Sequence, residues 1–241
     1  MSDEPATTLL LTLRLRPLVG TDALAVEVGR SGALVGGELE RLASSGLVAL
    51  RRDEWVDGWS LTPAGRRHVE SLVRDELAAA GRSGVVLDAY DAFLPLNREL
   101  LSICTDWQTV QLGGRLVPND HTDARRDAAV LARLDVLHRE VAGVLGLLED
   151  ASPRFGRYRV RLDAAHRHVR SGRTEWLTRP TVASYHSTWF ELHEHLLVAL
   201  GRQRTDEGPP DAAPAGGRIR GADRPDTPEG APLRTANGDR P

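Results

Sequence analysis

Five consecutive residues, Leu61-Thr62-Pro63-Ala64-Gly65, dictate where one helix of this chain has to start. Thr62 is placed to cap that helix, and Pro63 suits its first turn, where a missing N–H costs nothing. Upstream, Leu47-Val48-Ala49-Leu50 and Trp59-Ser60-Leu61 read as the two strands of a hairpin, with its turn expected at Asp57-Gly58. Before the hairpin, Leu34, Leu39 and Leu42 recur at roughly helical spacing until Gly46 stops the helix. Earlier still, Thr21 is placed to cap a helix carrying Leu24, Ala25 and Val28, and Gly29-Arg30-Ser31-Gly32 turns the chain between the two helices.

Helix, turn, helix, hairpin and helix in that order is the pattern of a winged helix-turn-helix. Leu39-Glu40-Arg41-Leu42, Gly46-Leu47-Val48 and Leu61-Thr62-Pro63-Ala64-Gly65 resemble the MarR-like winged-helix regulators of bacteria, over about Thr8 to Ala80. The resemblance implies that the helix from about Ala33 to Ser45 enters the DNA major groove while the hairpin tip lies on the backbone. It makes double-stranded DNA the expected partner, contacted by Arg30, Ser31, Gly36 and Arg41 and, from the wing, by Arg51 and Arg52. A homodimer is expected with it.

The rest of the chain is helical in pattern. A first helix over Thr7 to Arg16 packs Leu9, Leu10 and Leu13 on this unit, and Ala64 to Ala80 continues as a helix up to Gly81. From Gly84 to Trp107, Val86, Tyr90, Phe93, Asn97, Leu100, Cys104 and Trp107 alternate by four and three, the mark of a helix–helix seam. Pro95 is expected to kink that helix, and a polar loop with Gly113-Gly114 follows. Similar stripes run from Asp123 to Glu149, onward from Pro153, and from Pro180 to Leu200. Four amphipathic helices cannot bury their stripes alone, so a helical bundle is expected. The predicted fold is mainly α: a winged helix-turn-helix domain over 1–81, a four-helix bundle-like domain over 82–202, and a Pro/Gly/Ala/Arg-rich tail over 203–241 expected to be disordered.

Composition narrows the function. Apolar residues make up 41% of the 241, and no run approaches the ~18 that a membrane span requires. Met1-Ser2-Asp3-Glu4-Pro5 lacks the positive start of a signal peptide, so a cytoplasmic protein with no membrane partner is expected. Cys104 is the only cysteine, which excludes an internal disulfide and a cysteine zinc cluster. All 31 basic residues are arginine, in keeping with the coding bias of a high-GC bacterial genome. Residues 1–80 hold nine Arg against twelve Asp plus Glu, an acidic balance for a module whose affinity for DNA would come mostly from phosphate contacts. The most basic stretch lies between Pro153 and Arg173, with seven arginines against the single acid Asp163. There Arg154, Arg157 and Arg161 share a helical face, either as an anion site or as arginines paired with acids on neighbouring helices.

Polar residues that interrupt the apolar faces mark the candidate ligand site. His186 and His193 form a second stripe beside Tyr185 and Trp189, and Trp107, Asn119, Asp120 and His121 lie around the junction of the first two bundle helices. In a ligand-binding role these groups converge on a small-molecule effector; in a structural role Thr122 or Asp120 simply caps the second helix. No Glu-x-x-His pair occurs in a bundle helix, and no phosphate-cradling glycine loop, Gly-x-Ser-x-Gly elbow or dinucleotide fingerprint is present, so neither a metal, a cofactor nor an enzyme is expected. The expected function is a DNA-binding transcriptional regulator with a helical effector-binding or assembly domain. The alternative is a winged-helix interaction module that has lost DNA binding and docks an acidic or phosphorylated partner, as in segments linked to phosphoenolpyruvate-utilising proteins.

Overall fold

The computed structural model describes residues 4–52 and 57–207, and the described chain is mainly helical. The first helix, α1 (Glu4–Leu15), buries Leu9, Leu10, Leu11, Leu13 and Leu15 on nearly every side, so the elements that follow wrap around it. These are α2 (Thr21–Val28), α3 (Gly32–Ser44), β1 (Val48–Arg52), β2 (Asp57–Leu61) and α4 (Pro63–Ala79).

Two local expectations are corrected here. Thr21 does not cap α2. The N-cap is Gly20, and the Thr21 hydroxyl instead accepts from the Trp59 indole N–H at 3.0 Å. Asp57 and Gly58 are not the hairpin turn, because they pair with Arg52 and Arg51 inside the antiparallel ladder. The connection falls in 53–56, outside the described residues. Gly58 lies in the ladder because the chain between α1 and α2 passes directly over it: an added Cβ would sit 3.2 Å from the Leu18 side chain and the Val19 carbonyl. At that crossing Val19 and Trp59 exchange both backbone hydrogen bonds, at 3.0 and 2.9 Å, which holds the hairpin to the α1–α2 connection. The Thr62 cap is found as expected, with its hydroxyl accepting from Gly65 N–H at 3.0 Å and Pro63 in the first turn.

The second half holds α5 (Ser83–Gln108), β3 (Thr109–Leu112), β4 (Arg115–Pro118), α6 (Ala124–Ala151), α7 (Gly156–Arg170), the short α8 (Glu175–Thr178) and α9 (Tyr185–Leu200). Helix α5 is continuous through Pro95 and lies along α6, while α9 packs on α5 and α7. The polar loop expected around Gly113-Gly114 is a hairpin: both glycines have positive φ, 57° and 78°, which a two-residue turn between β3 and β4 requires. Helix α6 is capped by Asp123, which accepts from the N–H groups of Arg125 and Arg126, and not by Thr122 or Asp120. The last helix starts five residues later than the stripe suggests, because Ser184 caps it by accepting from Ser187 N–H at 3.2 Å. Of the expected tail, residues 204–207 form a 3₁₀ turn after α9, and 208–241 lie outside the described residues.

Buried apolar side chains from α1 to α4 and from α5 to α9 belong to one continuous cluster, joined where α4 and α1 meet α9. Among the described residues no helix is long and apolar enough to cross a membrane.

Candidate functional site

The outer face of α3 is set by its inner one. Val35, Leu39 and Leu42 are buried against the core, so Ala33, Leu34, Gly37, Glu40, Arg41 and Ser44 form a solvent stripe along the whole helix. Ser31 is the N-cap residue but its hydroxyl makes no capping bond, and Gly36 is half-buried beside the stripe. Strand β1 buries only Val48 and exposes Ala49 to Arg52. Of the expected DNA contacts, Arg30 and Arg51 are exposed with no carboxylate partner among the described residues, whereas Arg52 lies 3.6 Å from Asp57. Arg41 is held by Glu38 one turn back, through Nε to Oε2 at 3.0 Å and a second contact to Oε1. That carboxylate competes with any external anion for the guanidinium.

The three arginines expected to hold an anion are engaged inside the molecule. Arg154 reaches both Glu76 on α4 and the Thr8 hydroxyl on α1. Arg157 donates to Glu27 on α2 at 3.0 Å, and Arg161 grips Glu191 on α9 through two bonds of 2.7 and 2.9 Å. Arg16, at the end of α1, completes the set by donating twice to Glu191, at 2.9 and 3.1 Å, with Glu27 3.2 Å away. Of the two readings of this face, pairing with acids on neighbouring helices is the one realised, and most of these guanidiniums are sunk rather than solvated. Burial alone would raise the Glu191 carboxyl, but hydrogen bonds from Arg161 and Arg16 hold it below its ordinary value. Arg157 leaves Nε and Nη2 buried without a hydrogen-bond partner, its guanidinium 5.4 Å over the Tyr158 ring. Next to it His195 is stacked 4.1 Å from Phe155, and burial, with Arg157 and Arg154 adding to it, keeps the ring neutral well below its ordinary pKa.

The expected ligand residues gather in two places, the α5–α6 end and the middle of the bundle, where Phe93 packs 4.8 Å from Trp189 and 5.2 Å from His193. At the α5–α6 end, Asn119 bridges the Trp107 carbonyl and Asp127 at 3.0 Å each, while His121 packs 4.4 Å from the Trp107 ring and 2.9 Å from Asp127. His121 adopts a left-handed φ of 58°, and Asp120 accepts from both the N–H and the hydroxyl of Thr122, so the loop closes on its own groups. Mid-bundle, Trp189 stacks on Phe93 and donates to Asn97 at 3.0 Å, which satisfies the polar residue on the α5 seam. One turn further along α9, buried His193 meets Glu207 at 2.6 Å, and Glu207 also accepts from Tyr90. Tyr185 stacks on Trp189, with ring centroids 6.1 Å apart. Its hydroxyl is 3.3 Å from His138. Half-buried His186 is kept below its ordinary pKa by burial and then by Arg204.

The Tyr185–His138 contact belongs to a group that sequence reasoning does not single out. Asp135 and His138 on α6, and Asp163 and His166 on α7, are two Asp-x-x-His pairs whose imidazoles stack at 4.0 Å and whose carboxylates cross, Asp163 to His138 at 3.4 Å and Asp135 to His166 at 2.7 Å. The three-residue spacing of each pair is visible in the sequence, but their approach across two helices is not. Burial first and the neighbouring His166 second lower the His138 pKa. Among the described residues no group of three or more His, Cys, Asp or Glu is placed to hold a metal ion. With this geometry in view, comparison with known proteins adds no assignment: no family model, curated protein or solved structure matches the chain.

Proposed function

We propose that residues 4–79 act as a winged helix-turn-helix that binds duplex DNA, and that the chain is a transcriptional regulator whose helical body fixes the posture of this unit. The observation that carries the proposal is the solvent stripe of α3 lying in the same unit as the exposed Ala49 to Arg52 segment of β1. Small residues at Ala33, Gly36 and Gly37 let the helix backbone approach a groove, and Ala33 and Leu34 suit apolar contact with thymine methyl groups. Arg30, Arg51 and Arg52 supply phosphate contacts that position without reading sequence. The Val19–Trp59 bridge supports the winged assignment, since it adds a one-residue third strand to the hairpin.

One observation favours the protein-interaction alternative: Leu34 is 60% and Val26 84% exposed on this same unit, apolar surface that a protein partner would cover. Fluorescence polarisation of a labelled duplex from upstream of the protein's own gene decides between them. Binding that weakens about tenfold when Arg51 and Arg52 are both changed to Ala supports DNA recognition. Absent or unaffected binding supports the partner surface.

A further inference from the structure

A cavity of about 440 Å³ opens between α4 and the C-terminal end of α9, and its lining is dominated by charge of one sign: five arginines against two glutamates. The glutamates are already satisfied. Arg14 bonds Glu70 at 2.8 Å and reaches Glu194 at 3.4 Å, and Arg204 pairs with Glu194 as well. Arg66 and Arg74 remain with no carboxylate partner among the described residues, and Arg202, also without one, lies with its guanidinium 5.1 Å over the Tyr90 ring. Arg66 and Arg74 stand two turns apart on one face of α4, with Glu70 between them, so their side chains border the same opening. Arg202 comes from the opposite wall, just beyond Gly201, whose positive φ of 65° ends α9. The close approach there is specific: a Cβ on Gly201 would meet Arg74 Cδ at 3.1 Å. Buried Leu197 and Val198 also line the cavity, so charged donors rim an apolar patch.

We propose that this cavity binds a small phosphorylated ligand carrying two or more negative charges. A concave site with surplus charge of one sign focuses field on its counter-ion. Guanidinium forks arriving from two walls match a tetrahedral phosphate, which offers acceptor oxygens on all sides, better than a planar carboxylate. The volume is that of an ordinary small-molecule site. The site is separate from α3 and the hairpin, and its occupancy is measured without DNA, so failure of either proposal leaves the other standing.

The test is isothermal titration of the full chain with inorganic pyrophosphate at fixed ionic strength, with citrate as the carboxylate arm. Saturable pyrophosphate binding is expected, stronger than citrate, and weakened about tenfold or more by Arg74→Ala and by Arg66→Ala, each of which removes a charge-assisted hydrogen bond. Neither arginine holds an internal ion pair, so circular dichroism of both variants should match the parent. Arg67→Ala removes a charge from the same helix outside the cavity and should change affinity by less than about twofold. No saturable binding, equal binding of citrate, or an Arg67→Ala loss as large as that of Arg74→Ala would overturn the proposal.

Discussion

Glu191 takes two bonds from Arg16 and two from Arg161, and its side chain is 12% exposed. Neutralising it leaves two guanidiniums facing an amide in a water-poor site, which is where removing one partner of an ion pair costs most. Arg16 keeps Glu27 as a second partner, so Glu191→Gln is expected at the lower end of such losses, about 3 kcal/mol. A fall in the denaturant midpoint with unchanged slope would record it. Histidine sets the acid side of the stability profile. His195 is fully buried and titrates well below 6.5 when folded, so the unfolded chain binds its proton first as pH falls. Its contribution is therefore complete above pH 6.5 and is lost below it, toward the folded pKa, at up to about 1.4 kcal/mol per pH unit. His138, His186 and His193 shift the same way. Unfolding midpoints measured from neutral pH downward should drop through this window, and His195→Phe should flatten the drop.

At the scale of elements, Gly65 explains why the Leu-Thr-Pro-Ala-Gly phrase ends as it does. A Cβ there would fall 1.9 Å from the Leu47 carbonyl oxygen, rigid backbone at the root of the hairpin. Gly65→Ala is expected to cost about 3 kcal/mol, the upper end for overpacking, because nothing flexible can move aside. Gly37→Ala on the open face of α3 meets nothing within 4 Å and should instead stabilise by about 1 kcal/mol. Opposite shifts in thermal midpoint would verify both. The same contrast explains what the sequence disclosed. Helix seams and the Thr62 start depend on neighbours a few residues away, so α1 to α7, the body of α9 and the two strands of the β1–β2 hairpin are legible in the sequence, whereas Gly113-Gly114 by itself reads only as a loop. Glu27 with Arg157 is a pairing of distant segments, and Arg66 and Arg202 come together only as two walls of one cavity. No spacing rule finds them, and for that reason the arginine face reads either as an anion site or as paired with neighbouring acids, and the arginine-lined cavity is not legible in the sequence.

For the molecule as a whole, the arginine–glutamate contacts have a directional consequence. Helices α1, α2 and α4 are tied to α7, to the turn before it and to α9 through Arg16, Arg154, Arg157 and Arg161, over a core that is continuous between them. The first unit is thus tied to the body, and in the proposed dimer whatever sets the spacing of two bodies would set the spacing of two α3 helices. With few basic groups on the exposed face, DNA affinity has to rest on few phosphates. Arg30, Arg51 and Arg52 predict about three per copy, hence a slope of about −2.7 in log affinity against log salt for each copy bound. Polarisation of the labelled upstream duplex across a salt series measures that slope directly. The account predicts that value, reduced by about two phosphates' worth when Arg51 and Arg52 are both alanine; a salt-independent affinity, or no binding at low salt, would contradict it.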